Sequence, residues 1–177
     1  MAVASAGAAT TAGYAGARPY AEGVHLSFVC TGNICRSPSA ALVVAEQVRR
    51  AGLDDRVRVT SAGIDAWHVG EPIDRRAGDL LAARGYPVEH VAAQVDAGDL
   101  AADLILAMDR GHEKALRKLV DDPSRVRLLR SFDPAATGDL DVPDPYYGGE
   151  EGFEEVLDMI EAATPGLLAW VRERLDA

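Results

Sequence analysis

The sequence predicts an α/β fold: a single three-layer domain with a four-stranded parallel sheet, helices on both faces and an anion-binding loop after the first strand. Three observations carry this expectation. Short apolar runs alternate with segments of helical periodicity along nearly the whole chain, and a parallel sheet needs such crossovers between its strands. The 177 residues and 48% hydrophobic content suffice for one domain with a real core but not for two ordinary ones. A polar, glycine-containing run directly follows the first strand, where open parallel sheets hold their ligands.

The elements follow in order. Met1 to about Gly23 is rich in Ala, Gly, Ser and Thr and has neither a basic start nor a solid apolar core. It is a poor leader peptide, and residues 1–23 are expected to be a flexible tail ahead of a domain spanning 24–177. His25–Val29 reads as a buried strand. Ser39–Arg50 has Ala41, Leu42, Ala45 and Val48 on one helical stripe with Gly52 as a stop. Val57–Ser61 is a second strand, Asp74–Arg84 a helix ended by Gly85, Asp103–Met108 a third strand, and Gly111–Val120 a helix that stops near Pro123. Arg125–Leu129 is the fourth strand. Asp139–Gly149, with two prolines and two glycines, is a loop. Phe153–Ala163 is a helix with Phe153, Val156, Leu157 and Ile160 on one face. Thr164 and Pro165 then read as the cap and first turn of a separate helix over Leu167–Leu175, where Trp170 belongs to the core.

Charge and composition exclude several classes. A net charge of −10 opposes nucleic acid and an anionic membrane surface as partners. No stretch has the length of a membrane-spanning helix. Cys30 and Cys35 are the only cysteines, so a disulfide framework is excluded and a reducing, cytoplasmic setting is expected, with leaderless secretion still compatible. Those two cysteines and the scattered His25, His68, His90 and His112 offer no spaced metal-ligand set, so no metal and no cofactor are expected. The chain is expected to be a monomer.

The chemistry concentrates in Cys30-Thr31-Gly32-Asn33-Ile34-Cys35-Arg36-Ser37-Pro38. Gly32 suits a tight turn, and Asn33 tolerates a left-handed backbone better than most residues. Together they let successive N–H groups converge as an anion nest. Ser37 and Pro38 read as the N-cap and first residue of the following helix, whose N-terminus adds partial positive charge. Arg36 offers a planar fork that matches two phosphoryl oxygens. The same field favours the thiolate form of Cys30, a nucleophile at the floor of the cup. Ser37 is placed to donate to that sulfur and help it leave in a second step. An aryl phosphate leaves as a phenolate, whose conjugate acid has a pKa of about 10, so its departure needs a proton. Asp144, in the loop run Asp144-Pro145-Tyr146-Tyr147, is the candidate acid, and then the base that activates water.

At these residues the chain resembles the low-molecular-weight protein tyrosine phosphatases. The likeness runs from about His25 to the end. It is carried by the Cys30–Pro38 loop, Asp144-Pro145-Tyr146-Tyr147, Ser61-Ala62-Gly63 and Trp67-His68-Val69-Gly70. The resemblance implies a four-stranded parallel sheet, no metal, Cys30 as nucleophile, Arg36 as phosphate clamp and Asp144 as acid and base. It implies phosphotyrosine proteins as substrates, inorganic phosphate as product, and a network of Asn33 and Ser61 that holds the phosphate-binding loop. Thr31, Gly32, Asn33, Ile34, Cys35 and Ser37 are then expected to surround the phosphoryl group. Trp67, Tyr146 and, less centrally, Tyr147 wall a slot for the aromatic ring, with His68 beside Trp67 next in line.

Side branches of the family are weighed on the same residues. Arsenate reductases of this fold need further cysteines, which this chain lacks. Phosphoarginine phosphatases carry Thr where this chain has the apolar Ile34. Branches that serve polysaccharide kinases tend to lack an aromatic at the Trp67 position, so Trp67 favours the eukaryote-like class. Only Lys114 and Lys118 among the 18 basic residues are lysines, a bias that together with Trp67 resembles actinobacterial members. Glu71 stands where the family commonly has a basic residue, with Arg75 and Arg76 nearby to compensate. A phosphotyrosine-binding module without turnover is the non-enzymatic alternative, and the intact Cys30, Arg36 and Asp144 oppose it. Cys35 has two compatible readings, a packed residue under the loop or a partner that traps oxidised Cys30 as a disulfide.

Overall fold

The computed structural model describes residues 23–177; the expected tail lies outside them except for Gly23. Strand β1 (Val24–Cys30) is buried along almost its whole length and occupies the middle of the sheet. It pairs in parallel with β2 (Val57–Gly63), from Val24 opposite Val57 to Cys30 opposite Gly63. On its other side it pairs with β3 (Leu104–Ala107), from Leu26 opposite Leu104 to Val29 opposite Ala107. Strand β4 (Val126–Leu128) extends the sheet from Ile105 opposite Val126. The order is β2-β1-β3-β4, so a four-stranded parallel sheet is present as expected.

The two-residue period of β1 sorts its side chains between two cores. Leu26, Phe28 and Cys30 face one side, which also holds Val43 and Val44 of α1 (Arg36–Arg50), Leu81 of α2 (Arg75–Ala83) and Leu157 and Ile160 of α5 (Glu150–Asp176). Val29 faces the other side with Ile105, Ala107 and Leu116 of α4 (Arg110–Arg117). Ser27 also faces this second side. It is fully buried, and its hydroxyl donates to Asp99 Oδ1 at 2.9 Å, so the polar residue in an apolar strand is satisfied. Asp99 belongs to α3 (Ala97–Leu100), a single turn that the sequence reading missed although Asp96 and Asp99 form a capping box around it. The chain leaves β1 to one side for β2 and crosses to the other side for β3. The switch point therefore lies at the carboxyl end of β1, where the Thr31–Cys35 run emerges.

Two helix boundaries differ from expectation. α1 begins at Arg36, with Cys35 at the cap position and no side-chain capping bond. Ser37 is thus inside the helix and its hydroxyl is turned to Cys30 Sγ. The second difference is α5, one helix of 27 residues in place of two. Thr164 Oγ1 donates to the Ile160 carbonyl at 2.8 Å within the helix instead of capping a new one. Pro165 leaves the Glu161 carbonyl without its helical N–H, ordinarily a break. The helix continues because Ile160, Ala163, Leu167, Leu168 and Val171 prolong one buried face across the proline. Gly166 has a separate reason to be there. Its backbone lies against Phe132 in a 3-10 turn (Leu129–Phe132), and a Cβ on residue 166 would fall on the Phe132 carbonyl oxygen. Trp170 is partly buried against the larger core. No helix among the described residues is long and apolar enough to cross a membrane.

The fold also sets the protonation of three histidines. His25 on β1, His90 in the loop before α3 and His112 on α4 each have a pKa below the ordinary imidazole value, burial being the leading cause in every case.

Two predictions follow from the packing. Gly166→Ala lowers stability by about 1–3 kcal/mol, the cost of overpacking against rigid backbone, whereas Pro165→Ala raises it by about 1–2 kcal/mol; chemical denaturation of each variant measures both. The histidines predict a pH dependence. They bind protons more weakly when folded than when unfolded, so their contribution to stability is intact above pH about 6.5 and is lost as pH falls through the folded values. Melting temperature declines from pH 6.5 toward 5, above the carboxylate range, with proton uptake on unfolding in calorimetry, and His90→Gln flattens the slope.

Candidate active site

Cys30 ends β1, and its sulfur is the focus of the loop that follows. Ser37 Oγ lies 2.9 Å from Sγ, and the Asn33 backbone N–H donates to it at 3.3 Å. That N–H points back toward β1 because Asn33 has φ 58°, in the left-handed region. Its neighbour Gly32 does not adopt a positive φ. Gly32 serves close approach instead of the turn itself, since a Cβ there would lie 2.8 Å from His68 Cδ2.

Asn33 is fully buried and stitched to three parts of the molecule. Its Nδ2 donates to Ser37 Oγ at 2.8 Å and to Ser61 Oγ at 3.0 Å, tying the loop to α1 and β2. Its Oδ1 accepts the Ala93 N–H at 3.0 Å, and its carbonyl accepts His90 Nε2–H at 2.7 Å, both from the 86–95 segment. The Asn33–Ser61 link is the one the resemblance implied; His90 and Ala93 were not foreseen, and a loop histidine carries no periodic signal that would have flagged it.

Arg36 opens α1 and is only 4% exposed. Its Nη1 donates to Asp109 Oδ2 at 2.9 Å and to the Val142 carbonyl at 3.0 Å, while Nη2 lies 3.6 Å from Asp144 Oδ2. Asp109 was not singled out from the sequence. It caps α4 through Oδ1, which accepts the His112 N–H at 2.9 Å. Its position just past β3, at the carboxyl end of a strand, was the available signal. Burial alone raises the Asp109 carboxyl, but the His112 N–H, the His112 ring and Arg36 outweigh it and hold the group below the usual carboxylate range. Thr31 Oγ1 lies 2.8 Å from His112 Nε2, which brings a second unforeseen histidine against the loop.

Asp144 sits in the expected loop, and its side chain is 44% exposed. Oδ1 accepts the Tyr146 N–H at 3.1 Å, which leaves Oδ2 on the Arg36 side. Arg76 organises the same loop. Its Nη2 donates to the Tyr146 carbonyl at 3.1 Å, and its guanidinium lies 5.6 Å from the Tyr146 ring centroid and 4.5 Å from that of Phe153. Arg76 also pairs with Asp74 at 3.0 Å. It is therefore engaged within the protein, and Arg75 is the one left exposed, 3.6 Å from Asp79.

The remaining expected residues divide. Tyr146 is partly exposed and meets Tyr147 edge-on at 4.9 Å, while Tyr147 and Trp67 are 90% and 83% exposed. His68, not Trp67, is the ring recorded near Tyr146, at 6.4 Å, and its Nδ1 is 2.7 Å from Glu71 Oε2. Ile34 is buried in the larger core, and its carbonyl accepts the Asp74 N–H at 2.8 Å. Cys30 and Cys35 are not joined in a disulfide. Cys35 lines a small cavity with Ala77, Leu81, Phe153 and Val156, and burial first, then the nearby Asp74, pushes its pKa up to about 12. Cys35 is thus held as the neutral thiol. No group of three or more His, Cys, Asp and Glu side chains among the described residues is arranged to hold a metal ion.

The chain is similar to known proteins along nearly all of its described length. The family profile described as Low molecular weight phosphotyrosine protein phosphatase matches residues 25–177. Low molecular weight protein-tyrosine phosphatase A of Mycobacterium tuberculosis is 58% identical over 153 residues, covering 86% of this chain and 94% of that protein. The low molecular weight protein-tyrosine-phosphatase of Streptomyces coelicolor is 54% identical over 154 residues, covering 84% and 94%. The crystal structure of a protein tyrosine phosphatase from Entamoeba histolytica with Hepes in its active site superposes with a TM-score of 0.80 at 33% identity, covering 85% of this chain and 97% of that one. With the profile spanning nearly all described residues and two actinobacterial relatives above 50% identity, the chain belongs to the low molecular weight phosphotyrosine protein phosphatase family.

Proposed function

We propose that this chain is a protein-tyrosine phosphatase that hydrolyses phosphotyrosine, and aryl phosphates generally, through a cysteinyl-phosphate intermediate. One observation carries the reading. A sulfur that receives the Asn33 N–H stands at one end of the loop and a buried guanidinium at the other, and the Asp144 carboxylate lies 3.6 Å from that guanidinium. In this reading the three serve as nucleophile, clamp and acid. The names of the mycobacterial and Streptomyces relatives support the same activity.

In the first step Cys30 attacks phosphorus as the thiolate, the S–P bond forms and the P–O bond to the aryl group breaks. Asp144 gives its proton to the departing phenolate. Arg36 and the loop N–H groups of Thr31, Gly32, Ile34 and Cys35 hold the equatorial oxygens, where charge is spread in the transition state. In the second step Asp144 takes a proton from water, the water oxygen bonds to phosphorus, and the S–P bond breaks to release inorganic phosphate. Ser37, 2.9 Å from Sγ, stabilises the leaving thiolate. Tyr146, Tyr147 and Trp67, all exposed, take the substrate ring, and the protein segment around the phosphotyrosine lies across them. The working unit is a single domain over 24–177, acting as a monomer in the cytoplasm.

Cys30→Ser abolishes turnover of p-nitrophenyl phosphate. Asp144→Ala lowers kcat by about 10²–10⁴-fold, the range of a positioned general acid, while inorganic phosphate still inhibits with an affinity close to wild type. The loss is larger for phenyl phosphate, whose leaving group needs the proton more. A wild-type protein inert toward both esters, or a Cys30→Ser protein of full activity, sinks the reading.

A further inference from the structure

His112 is the buried titratable group that the proposed mechanism leaves without a task. It is 6% exposed and sits on α4, between the two ends of the loop chemistry. Its Nε2 lies 2.8 Å from Thr31 Oγ1, directly after the nucleophile. Its Nδ1 lies 3.2 Å from Asp109 Oδ1 but too far off line for a well-formed hydrogen bond, and this buried nitrogen has no other partner among the described residues. Asp109 Oδ2 in turn accepts from Arg36. Two hydrogen-bonded pairs, Thr31–His112 and Asp109–Arg36, thus meet where the imidazole faces the Asp109 carboxylate at 3.2 Å, and together they run from beside the nucleophile to the clamp.

We propose that His112 is a positioning residue for the phosphatase reaction, holding the Thr31 hydroxyl on one side and backing the Asp109 carboxylate on the other, so that Thr31 and Arg36 are set relative to each other through one imidazole. The proposal rests on the phosphatase reading of the same site.

The proton positions follow from the partners. An ionised carboxylate only accepts, so the nitrogen facing Asp109 carries the hydrogen. Neutral His112 then has Nε2 as an acceptor, and Thr31 O–H donates to it. Burial is the leading cause that keeps His112 below the ordinary imidazole value; Arg36 acts in the same sense, and Asp109, Asp144 and Asp141 oppose it. These are the charged groups that face the ring from α1, from the turn after β3 and from the 139–149 loop. Neutral His112 is thus the form at neutral pH. A phosphoryl dianion in the loop adds negative charge on the Arg36 side and draws a proton toward the ring. An imidazolium would donate through Nε2 and release the Thr31 proton to face the phosphoryl oxygens.

The test compares wild type, Thr31→Val, His112→Phe, His112→Gln and the Thr31→Val/His112→Phe double variant, by kcat and KM on p-nitrophenyl phosphate with melting temperature as a fold control. Each of Thr31→Val and His112→Phe is expected to lower kcat/KM roughly tenfold, as for one lost buried hydrogen bond. The double variant falls no further than the worse single, and His112→Gln, whose amide can meet Thr31, recovers most of the loss. In the wild type, saturating inorganic phosphate shifts the NMR titration of the His112 ring upward. Additive losses in the double variant, an unaffected Thr31→Val protein or a His112 titration indifferent to phosphate would overturn the proposal. If His112→Phe does not fold, Thr31→Val and the titration still decide. A wild type that binds phosphate and shifts His112 but turns over no ester instead rejects the phosphatase reading.

Discussion

The left-handed backbone of Asn33 is the constraint on which the site depends. A non-glycine residue at φ 58° is held against its preference, at a cost of about 1–3 kcal/mol unless its surroundings determine it. Here they do. The carbonyl, Oδ1 and Nδ2 of Asn33 meet His90, Ala93, Ser37 and Ser61. Glycine would take the backbone angle more easily but would lose the side chain that ties the loop to α1, β2 and the 86–95 segment. The reversal at residue 33 turns its N–H onto the Cys30 sulfur and lets the chain re-enter a helix only three residues later. The short return also explains the uncapped start of α1. A side-chain cap would occupy N–H groups that an anion nest needs, and Ser37, the residue with the chemistry of a cap, is committed to the sulfur instead.

Arg36 shows how a buried cation is kept useful. A guanidinium 4% exposed is costly unless paired and hydrogen-bonded. Asp109 and the Val142 carbonyl satisfy Nη1, and Nη2 is directed at the side where Asp144 stands. Asp109 is itself anchored by capping α4, so the orientation of the Arg36 guanidinium is referred to a helix packed on the opposite face of the sheet from α1. The 139–149 loop has its own anchor. Arg76 reaches from α2 to the Tyr146 carbonyl and stacks near Phe153 at the start of α5, so a segment with no regular structure is nevertheless held by two helices.

Much of this was legible in the sequence, for reasons that differ by element. The alternation of apolar strands and periodic helices gave the parallel sheet, because burial on both faces leaves continuous runs such as Leu104–Ala107. The run from Cys30 to Pro38 is local chemistry, and local chemistry is written contiguously. The supports are not. Asp109, His90 and His112 act on residues 73, 57 and 81 positions away, and no spacing rule connects them to the loop. Thr164 and Pro165 misled: read locally they start a new helix, but the buried face from Ile160 to Val171 outweighs the missing hydrogen bond, and the close approach of Gly166 to the Phe132 backbone is a contact that only the tertiary structure contains.

The charge of the protein poses a last question, since a chain of net −10 binds a dianion in this reading. Long-range attraction cannot be the source, because exposed charges are screened beyond about 8–10 Å. The local balance is not generous either, as Arg36 faces the carboxylates of both Asp109 and Asp144. Fixed dipoles resolve the difficulty: the N-terminus of α1 and the loop N–H groups contribute positive ends at the anion site. In the proposed mechanism the 3.6 Å separation of Asp144 from the Arg36 guanidinium matters for position: a carboxyl beside the clamp can pass a proton to the departing aryl oxygen and then accept one from water without either partner moving far.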